Sequence, residues 1–481
     1  MIYFILFIFA LYLLLSFVNK NLIKKNGLNG PLALPLLGNL HNLGDLPHIG
    51  LQRLAQKYGN VYRIWMGDYF SIVVSDPKLL REVWVKNNSN FINRPKTPTF
   101  NIISKNFTNL AASDEETWSI VRPIVSGHFT KTKLKKSSTN HLVTEQTNQL
   151  IQKIQEFSKS GEIFMPRSYC KKYSMNIIFN ILFNMQIPYD ESTGEGTLGR
   201  LIVPIEKIFK RLASANPVDF VDLLVPFYFA YVSLFGTEVD ELVKFTEVIY
   251  QDHLDKLDPQ NPKDLLDTLL VDLSTKQKYK SQICIICIDF ILAGTDTSAS
   301  SIEWFMLFMA NNPTIQQKVF NELESVIGQG NKVVGIDHQM QTPYLNAVIK
   351  EVLRIKPIAP MGLPRIAKES IQIDDLFIPK GTQLIQNIYS LHHDESYWGN
   401  PSTFMPERFL DQNHTEYYIP FSLGARNCVG KDLANTSIFS ACANLISNFK
   451  FSSSNGQPID DTDVFGLTIH PKLFGLKVEQ R

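Results

Sequence analysis

The chain has 481 residues, 44% of them hydrophobic and 19% charged. That balance supports a large buried core and excludes disorder along most of the length. Lys+Arg is 47 against Asp+Glu 46, a net charge of +1, so no global basic field draws the chain to nucleic acid. Five cysteines in so long a chain exclude a disulfide scaffold, and a sparse, odd count suits a reducing compartment. Length alone suggests two or three domains of about 150 residues each.

Ile2 to Val18 carry no charge and are nearly all apolar. As a helix they span roughly 26 Å at about 1.5 Å per residue, near the roughly 27 Å hydrocarbon core of an endoplasmic reticulum bilayer. A cleaved signal peptide would carry a positive charge before the run and a small-x-small site after it; here no charge precedes the run, and Leu-Leu-Leu-Ser-Phe-Val is a poor cleavage site. Lys20, Lys24 and Lys25 follow instead, and the positive-inside rule then places the rest of the chain in the cytosol. Residues 2–18 are therefore expected as a transmembrane signal anchor and 19–38 as a basic, proline-containing linker. The body is expected to occupy 39–481. The sequons at Asn87, Asn106, Asn413 and Asn435 would stay unmodified in the cytosol. Pro31-Leu-Ala-Leu-Pro35-Leu-Leu-Gly38 reads as a stiff, non-helical connector.

Val61 to Trp65 and Ser71 to Ser75 are β-prone runs across Gly67-Asp68 and predict a hairpin. Asp76-Pro77 opens a short helix. From about Glu115 to Phe320 the pattern is mainly helical. Trp118 and Arg122 share one helix face, where both offer N–H donors to an anion; an Arg stacked on Trp is the plain alternative. Lys131, Lys133, Lys135 and Lys136 form a basic cluster, either a solvated face or a docking patch for an acidic partner. A long apolar helix is expected from about Tyr279 to Asn311. Cys284 and Cys287 lie on it and read as core, since free Cys is commonly buried. Asp289 reads as a hydrogen-bonded helix residue or a substrate contact. Ala293, Gly294 and Thr297 share a face of this helix. Glycine and threonine in mid-helix weaken it, which suggests a local opening or π-bulge. Asp296 needs a partner there; a surface Asp beside a Thr bonded to its own helix is the plain alternative.

Glu351 and Arg354 pair an acid and a base three residues apart. Strands are expected at Ile366 to Ile373 and Gln383 to Tyr389. His392-His393 lack a third ligand at metal spacing. Residues 403–427 are irregular, a helix follows from about Val429, and strand-like pieces surround Leu467 and Leu476.

Phe421-Ser-Leu-Gly424-Ala-Arg426-Asn-Cys428-Val-Gly430 places a cysteine at a loop-to-helix junction. A helix N-terminus and a nearby Arg lower a thiol pKa and favour thiolate. Gly424 permits a tight turn, and Gly430 admits a close backbone or a flat cofactor. Soft thiolate suits iron or zinc, but zinc would need further Cys or His ligands nearby. This segment resembles the haem loop of the cytochrome P-450 family, Phe-x-x-Gly-x-Arg-x-Cys-x-Gly, at all five fixed positions. At this chain's composition, that match arises by chance on the order of 10⁻⁵ times per sequence.

The resemblance runs from the anchor to the last strands, with no departure at a motif position. It implies the mainly α cytochrome P-450 fold with small β-sheets, and a single large haem domain after the anchor. Cys428 would be the axial ligand of haem b iron. Phe421 would pack beside the sulfur, and Arg426, Arg365, Trp118 and Arg122 would reach haem propionates. Ala293, Gly294 and Thr297 would lie over the haem, with Thr297 bonding the iron-bound peroxide and Asp296 feeding protons, a general-acid role. Glu351, Arg354 and Arg408, the last in Pro406-Glu-Arg408-Phe409, would form a buried network bracing the haem loop.

The function implied is a monooxygenase of the endoplasmic reticulum membrane. It would insert one atom of dioxygen into a lipophilic small molecule, with NADPH electrons from a separate flavoprotein reductase. The basic cluster would lie on the side where reductases dock. The substrate pocket would draw on the stretch after Arg94, Leu201 to Phe235, Phe290 to Gly294, Ile358 to Leu363, and Leu467 to Ile469. Two rivals remain: an oxygen-independent haem-thiolate isomerase or dehydratase of lipid hydroperoxides, and a non-enzymatic haem sensor or lipid binder. The Asp296-Thr297 pair argues against the first, whose chemistry needs no proton relay.

Overall fold

The computed structural model describes every residue except 24–26, 130–136, 192–195, 214–215, 274–279, 331 and 412–413. Lys24, Lys25, the basic cluster at Lys131 to Lys136 and the sequon at Asn413 lie outside the described residues.

The Ile2–Val18 helix forms as expected, and a π-helical turn, Asn19–Ile23, continues it. Lys20 departs from the expectation of a solvated flanking charge. It is buried, and its Nζ donates to the Gly67 carbonyl (2.7 Å) and to Asp68 Oδ1 (3.2 Å). Trp65 Nε1 donates to the Lys20 carbonyl at 3.0 Å. Asn21 exchanges two hydrogen bonds with the backbone of Ala33, each 2.8 Å. A buried ammonium must be fully partnered, and the Gly67-Asp68 turn supplies the partners. The end of the apolar helix is therefore clasped by the body.

Val61–Met66 and Tyr69–Val74 pair antiparallel as the expected hairpin. Gln383–Gln386 adds in parallel and Arg365–Ile366 antiparallel, giving one four-stranded sheet. The expected strand Ile366 to Ile373 is broken. Ala367 and Lys368 bond to Thr382 and Asn90 instead, and Ile371–Ile373 folds onto Leu376–Ile378 as a separate hairpin around Asp374 at φ 47°. The strand expected at Gln383 to Tyr389 stops at Gln386, because the Asn387 side chain caps a short helix, Ile388–His392. β-branched Ile388 and aromatic Tyr389 favour strand locally, but the cap and the burial of His392 override that preference.

The Lys280–Asn311 helix runs through the main hydrophobic core. Its length and apolarity would also suit a membrane span, but it is mostly buried within the fold. The helices Pro166–Phe183 and Lys431–Asn448 pack along it, as does the Thr468–Pro471 strand. Cys284 and Cys287 are buried core residues, as expected, and burial pushes both thiols up.

Candidate functional site

The 421–430 loop is folded by its own backbone. The Cys428 N–H donates to the Phe421 carbonyl at 3.0 Å, and the Asn427 N–H to Gly424 at 3.1 Å. Phe421 packs against the main core. Gly424 has φ +72°, and a β-carbon there would collide with the Trp84 carbonyl. Only glycine meets both conditions. Gly424→Ala is expected to cost about 2 kcal/mol, from strained backbone plus displacement of Trp84, read as a lower midpoint in urea unfolding. Gly430 is the N-cap residue of the Lys431–Asn448 helix. A β-carbon on Gly430 would meet nothing within 4 Å, so the backbone here is open to a flat group.

Cys428 lies deep in the fold, yet its own surface is open. The thiol therefore faces a space inside the protein rather than bulk water. Burial pushes its pKa up, opposed by the Gly430 N–H, Arg122 and Lys431. The sequence argument for a lowered pKa is thus corrected: the helix terminus and the arginine act as expected, but desolvation outweighs them. The arginine responsible is Arg122, not its loop neighbour Arg426. A metal ion would deprotonate such a thiol outright.

On the central helix, Ala293 is exposed although most residues around it are buried. Thr297 Oγ1 donates to the Ala293 carbonyl at 2.8 Å. The helix is unbroken α through this segment, so the expected opening or π-bulge is absent. Gly294 packs elsewhere: its missing side chain admits Ile178 of the Pro166–Phe183 helix, which a β-carbon would strike. Its observed contact is helix packing. Asp296 is buried. Its Oδ2 accepts from Thr468 Oγ1 at 2.5 Å, and Lys171 Nζ lies 3.9 Å from Oδ1. The need for partners is met, and the surface alternative is excluded.

Four arginines converge beside the Cys loop. Arg365 donates to Asn88 Oδ1 and the Phe91 carbonyl, both at 3.1 Å, and lies over Trp84. Arg426 donates to the carbonyls of Leu110 (3.3 Å) and Ser113 (2.5 Å) and lies 5.1 Å over the Trp118 ring. Arg122 donates to the Asn427 carbonyl and Oδ1 at 2.9 and 3.0 Å. In this structure Arg122 holds Asn427 of the Cys loop, while Trp118 lies under Arg426. The fourth, Arg94, was not singled out by sequence. It donates to the carbonyls of Ala111, Leu363 and Pro364. Burial lowers the pKa of Arg365 to about 10 and of Arg426 to about 9. Burial, and then Arg365, Arg426 and Arg122, lower that of Arg94.

The neighbouring carboxylates of Asp114 and Glu115 are paired with Lys96 and Lys368. Buried Nε atoms of Arg365 and Arg426 make no hydrogen bond. So many desolvated like charges are costly without an anion. The set fits a ligand with two carboxylates beside a soft metal, as haem has.

Asp289 was the other residue left open. Its carboxylate accepts from Asn109 Nδ2 (2.7 Å) and the N–H groups of Leu110 (2.7 Å) and Ala111 (2.9 Å). Burial pushes its pKa up to about 6 against those bonds. It ties the central helix to the segment that holds Arg426 and Arg94.

Glu351 and Arg354 are fully buried and bidentate, at 2.7 and 2.8 Å. Arg408 approaches Glu351 at 3.4 Å and donates to the Trp398 and Asn400 carbonyls. The Met405 N–H donates to Glu351 Oε1 at 2.9 Å. His392 adds a brace: the Ile419 N–H donates to its Nε2 at 2.9 Å, while Nδ1 lies 3.2 Å from the Arg354 carbonyl. The ring must therefore be neutral with its proton on Nδ1, which burial favours. It is a structural link to the Cys loop, not a metal ligand.

The cytochrome P450 family model matches residues 28–478. The chain belongs to the cytochrome P450 family. This P450 is 39% identical to the probable cytochrome P450 519E1 of Dictyostelium discoideum, over 98% of each chain. It is 38% identical to the probable cytochrome P450 519B1 of the same organism, over 100% of this chain and 99% of that one. A zebra fish cytochrome P450 solved with abiraterone superposes with a TM-score of 0.77, at 24% identity, over 91% of this chain and 100% of the other. The fold is thus the P450 fold, mostly helical with small sheets. The family binds haem and is generally one of haem-thiolate monooxygenases.

Proposed function

We propose that this P450 inserts one atom of dioxygen into a lipophilic small molecule, with NADPH electrons delivered by a separate flavoprotein reductase. The observation that carries the reading is Cys428: a thiol open to the interior, held by the glycine loop, with Arg122 beside it and a cluster of underpaired arginines nearby. Haem, when bound, supplies oxygen activation, and a thiolate ligand favours O–O cleavage. Cys428 would hold its iron, and Trp118, Arg122, Arg365 and Arg426, together with Arg94, would hold its carboxylates. Gly430 would leave room for its plane.

The rest is done by side chains. Thr297 donates its proton to Ala293, so its oxygen lone pairs stay free to accept. Asp296, one residue earlier, is its proton source. Ile469 donates its N–H to Ile358 at 2.9 Å, which joins two of the apolar segments expected to line the substrate pocket.

The same reading places the protein on the endoplasmic reticulum membrane, with residues 2–18 as anchor, 19–38 as linker and 39–481 facing the cytosol. Supporting it, Asp68 takes Lys20 on one oxygen and the Asp222 N–H on the other, each at 3.2 Å. Asp222 precedes the Val225–Phe235 helix, which exposes Phe227, Leu234 and Phe235. An exposed apolar helix beside the anchor's end suits a bilayer surface.

The test reconstitutes full-length protein with an NADPH reductase, a lipid extract and isotopically heavy dioxygen. One labelled atom is expected in the product. Thr297→Ala is expected to cut product per NADPH by about tenfold or more, the low side of a general-acid contribution, with peroxide released instead. Product formed without dioxygen or reductase would favour the isomerase.

A further inference from the structure

Seven residues along the central helix from Asp296 stands a second carboxyl, Glu303. Two turns return it to nearly the same face. Its side chain is 2% exposed. Arg167, on the Pro166–Phe183 helix, donates Nε to Glu303 Oε2 at 3.0 Å and another N–H to the Pro471 carbonyl. One turn on, Lys171 lies between two carboxylates. Its Nζ is 2.7 Å from Glu206 Oε1, on the Gly196–Ala213 helix, and 3.9 Å from Asp296 Oδ1. The strand that carries Thr468 also carries His470, whose ring feels the charges of Arg167, Asp296 and Lys171. Three acids, two cations and an imidazole thus come together from four elements.

Arg167, Lys171, Glu206 and Glu303 line an open cleft of about 320 Å³ together with Ile202 and Val203. The cleft is lined by Glu303 of the central helix, and it connects with Asp296 through Lys171, which lines it and lies 3.9 Å from Asp296 Oδ1. Burial pushes the Glu303 pKa up to about 7, with Arg167 opposing it. Burial and the two cations lower the His470 pKa, with Asp296 opposing them. A carboxyl in a cleft that exchanges its proton near neutrality suits proton handling.

We propose that this cleft is the proton inlet of the reaction, with Glu303 as the acid that recharges Asp296. Glu303 carboxylate takes a proton from hydronium in the cleft and leaves water. Through cleft water it passes that proton to the Asp296 carboxylate and returns to its ionised form. No electrons move. Lys171 is a positioning residue that holds Asp296 toward the cleft. The inference rests on reading Asp296 as the proton source for Thr297.

The sign of the pH dependence follows. Glu303 is an acid below about pH 7 and ionised above it, so delivery falls as pH rises through that value. Its ordinary pKa is 4.5. The folded protein therefore holds an extra proton between about pH 4.5 and 7 and loses stability as pH rises through that window.

Two measurements on the full-length enzyme test this. Thermal melts from pH 5 to 8 need no turnover: wild type is expected to lose midpoint relative to Glu303→Gln as pH rises, and parallel curves would overturn the inference. In reductase-driven NADPH oxidation, wild-type peroxide release is expected to rise as pH passes about 7. Glu303→Gln is expected to release roughly threefold more, independent of pH, a modest share of a general-acid effect. Glu303→Asp is expected to restore the pH dependence, and Lys171→Arg to retain coupling that Lys171→Met loses. Val203→Trp, on the exposed cleft wall, fills the inlet without touching an acid and is expected to raise the solvent isotope effect. Wild-type coupling in these variants, with Asp296→Asn uncoupled, would overturn the inlet and leave Asp296 in place. Normal coupling in Asp296→Asn as well would overturn both.

Discussion

Cys428→Ala is expected to keep the fold while turnover falls by about a thousandfold or more, about 4 kcal/mol of barrier. The separation is physical. The thiol surface is open, so truncation removes few packing contacts, and the backbone bond from Cys428 to Phe421 survives any side chain. What is lost is the sulfur donor, and no other cysteine can replace it. Cys170, Cys284, Cys287 and Cys442 are all buried. Near-native unfolding with lost turnover supports the assignment; full turnover in the variant would remove Cys428 from it.

Arg354→Leu is expected to cost about 3–5 kcal/mol, the range for breaking a buried ion pair. That is a large part of a typical folding free energy of about 5–15 kcal/mol. Arg354 donates to both Glu351 oxygens and to the carbonyls of His392 and Pro401, each of the latter at 2.8 Å. Its loss leaves Glu351 buried with the Met405 N–H and the more distant Arg408. It also frees the carbonyl of His392, whose ring holds Ile419 two residues before the Cys loop. The second partner supplies the check. Glu351→Leu and Arg408→Leu combined with Arg354→Leu should be more stable than Arg354→Leu alone, because Arg408 also pairs with Glu351 and only the triple variant leaves no unpaired buried charge. Urea unfolding of the three proteins measures both. A cost under about 1 kcal/mol, as for an exposed pair, would contradict a bracing role.

Features that depend on neighbours in sequence were legible. The hairpin at Gly67-Asp68, the Asp76 cap and the central helix carry their signals locally. The Cys loop did so too, because one short loop must combine a positive-φ glycine, a thiol and an open helix start. Features set by distant partners were not. Arg94 stands alone beside Pro95, and its acceptors lie near Ala111 and Leu363. Asp289 resembles any helix acid until Asn109 and its neighbours close on it. Lys20 reads as a topogenic charge because nothing nearby announces the turn that buries it. Gly294 and Thr297 suggested an opened helix; Ile178 and the Ala293 carbonyl instead close it. Ile388 and Tyr389 carried strand propensity that a cap at Asn387 defeated.

The most direct test of the central claim, thiolate ligation by Cys428, is the absorption spectrum of the reduced, full-length protein under carbon monoxide. A thiolate ligand predicts the strongly red-shifted Soret band that electron donation from sulfur produces, present in wild type and absent in Cys428→Ala. Wild type without that band, or the variant with it, would contradict Cys428 as the iron's ligand.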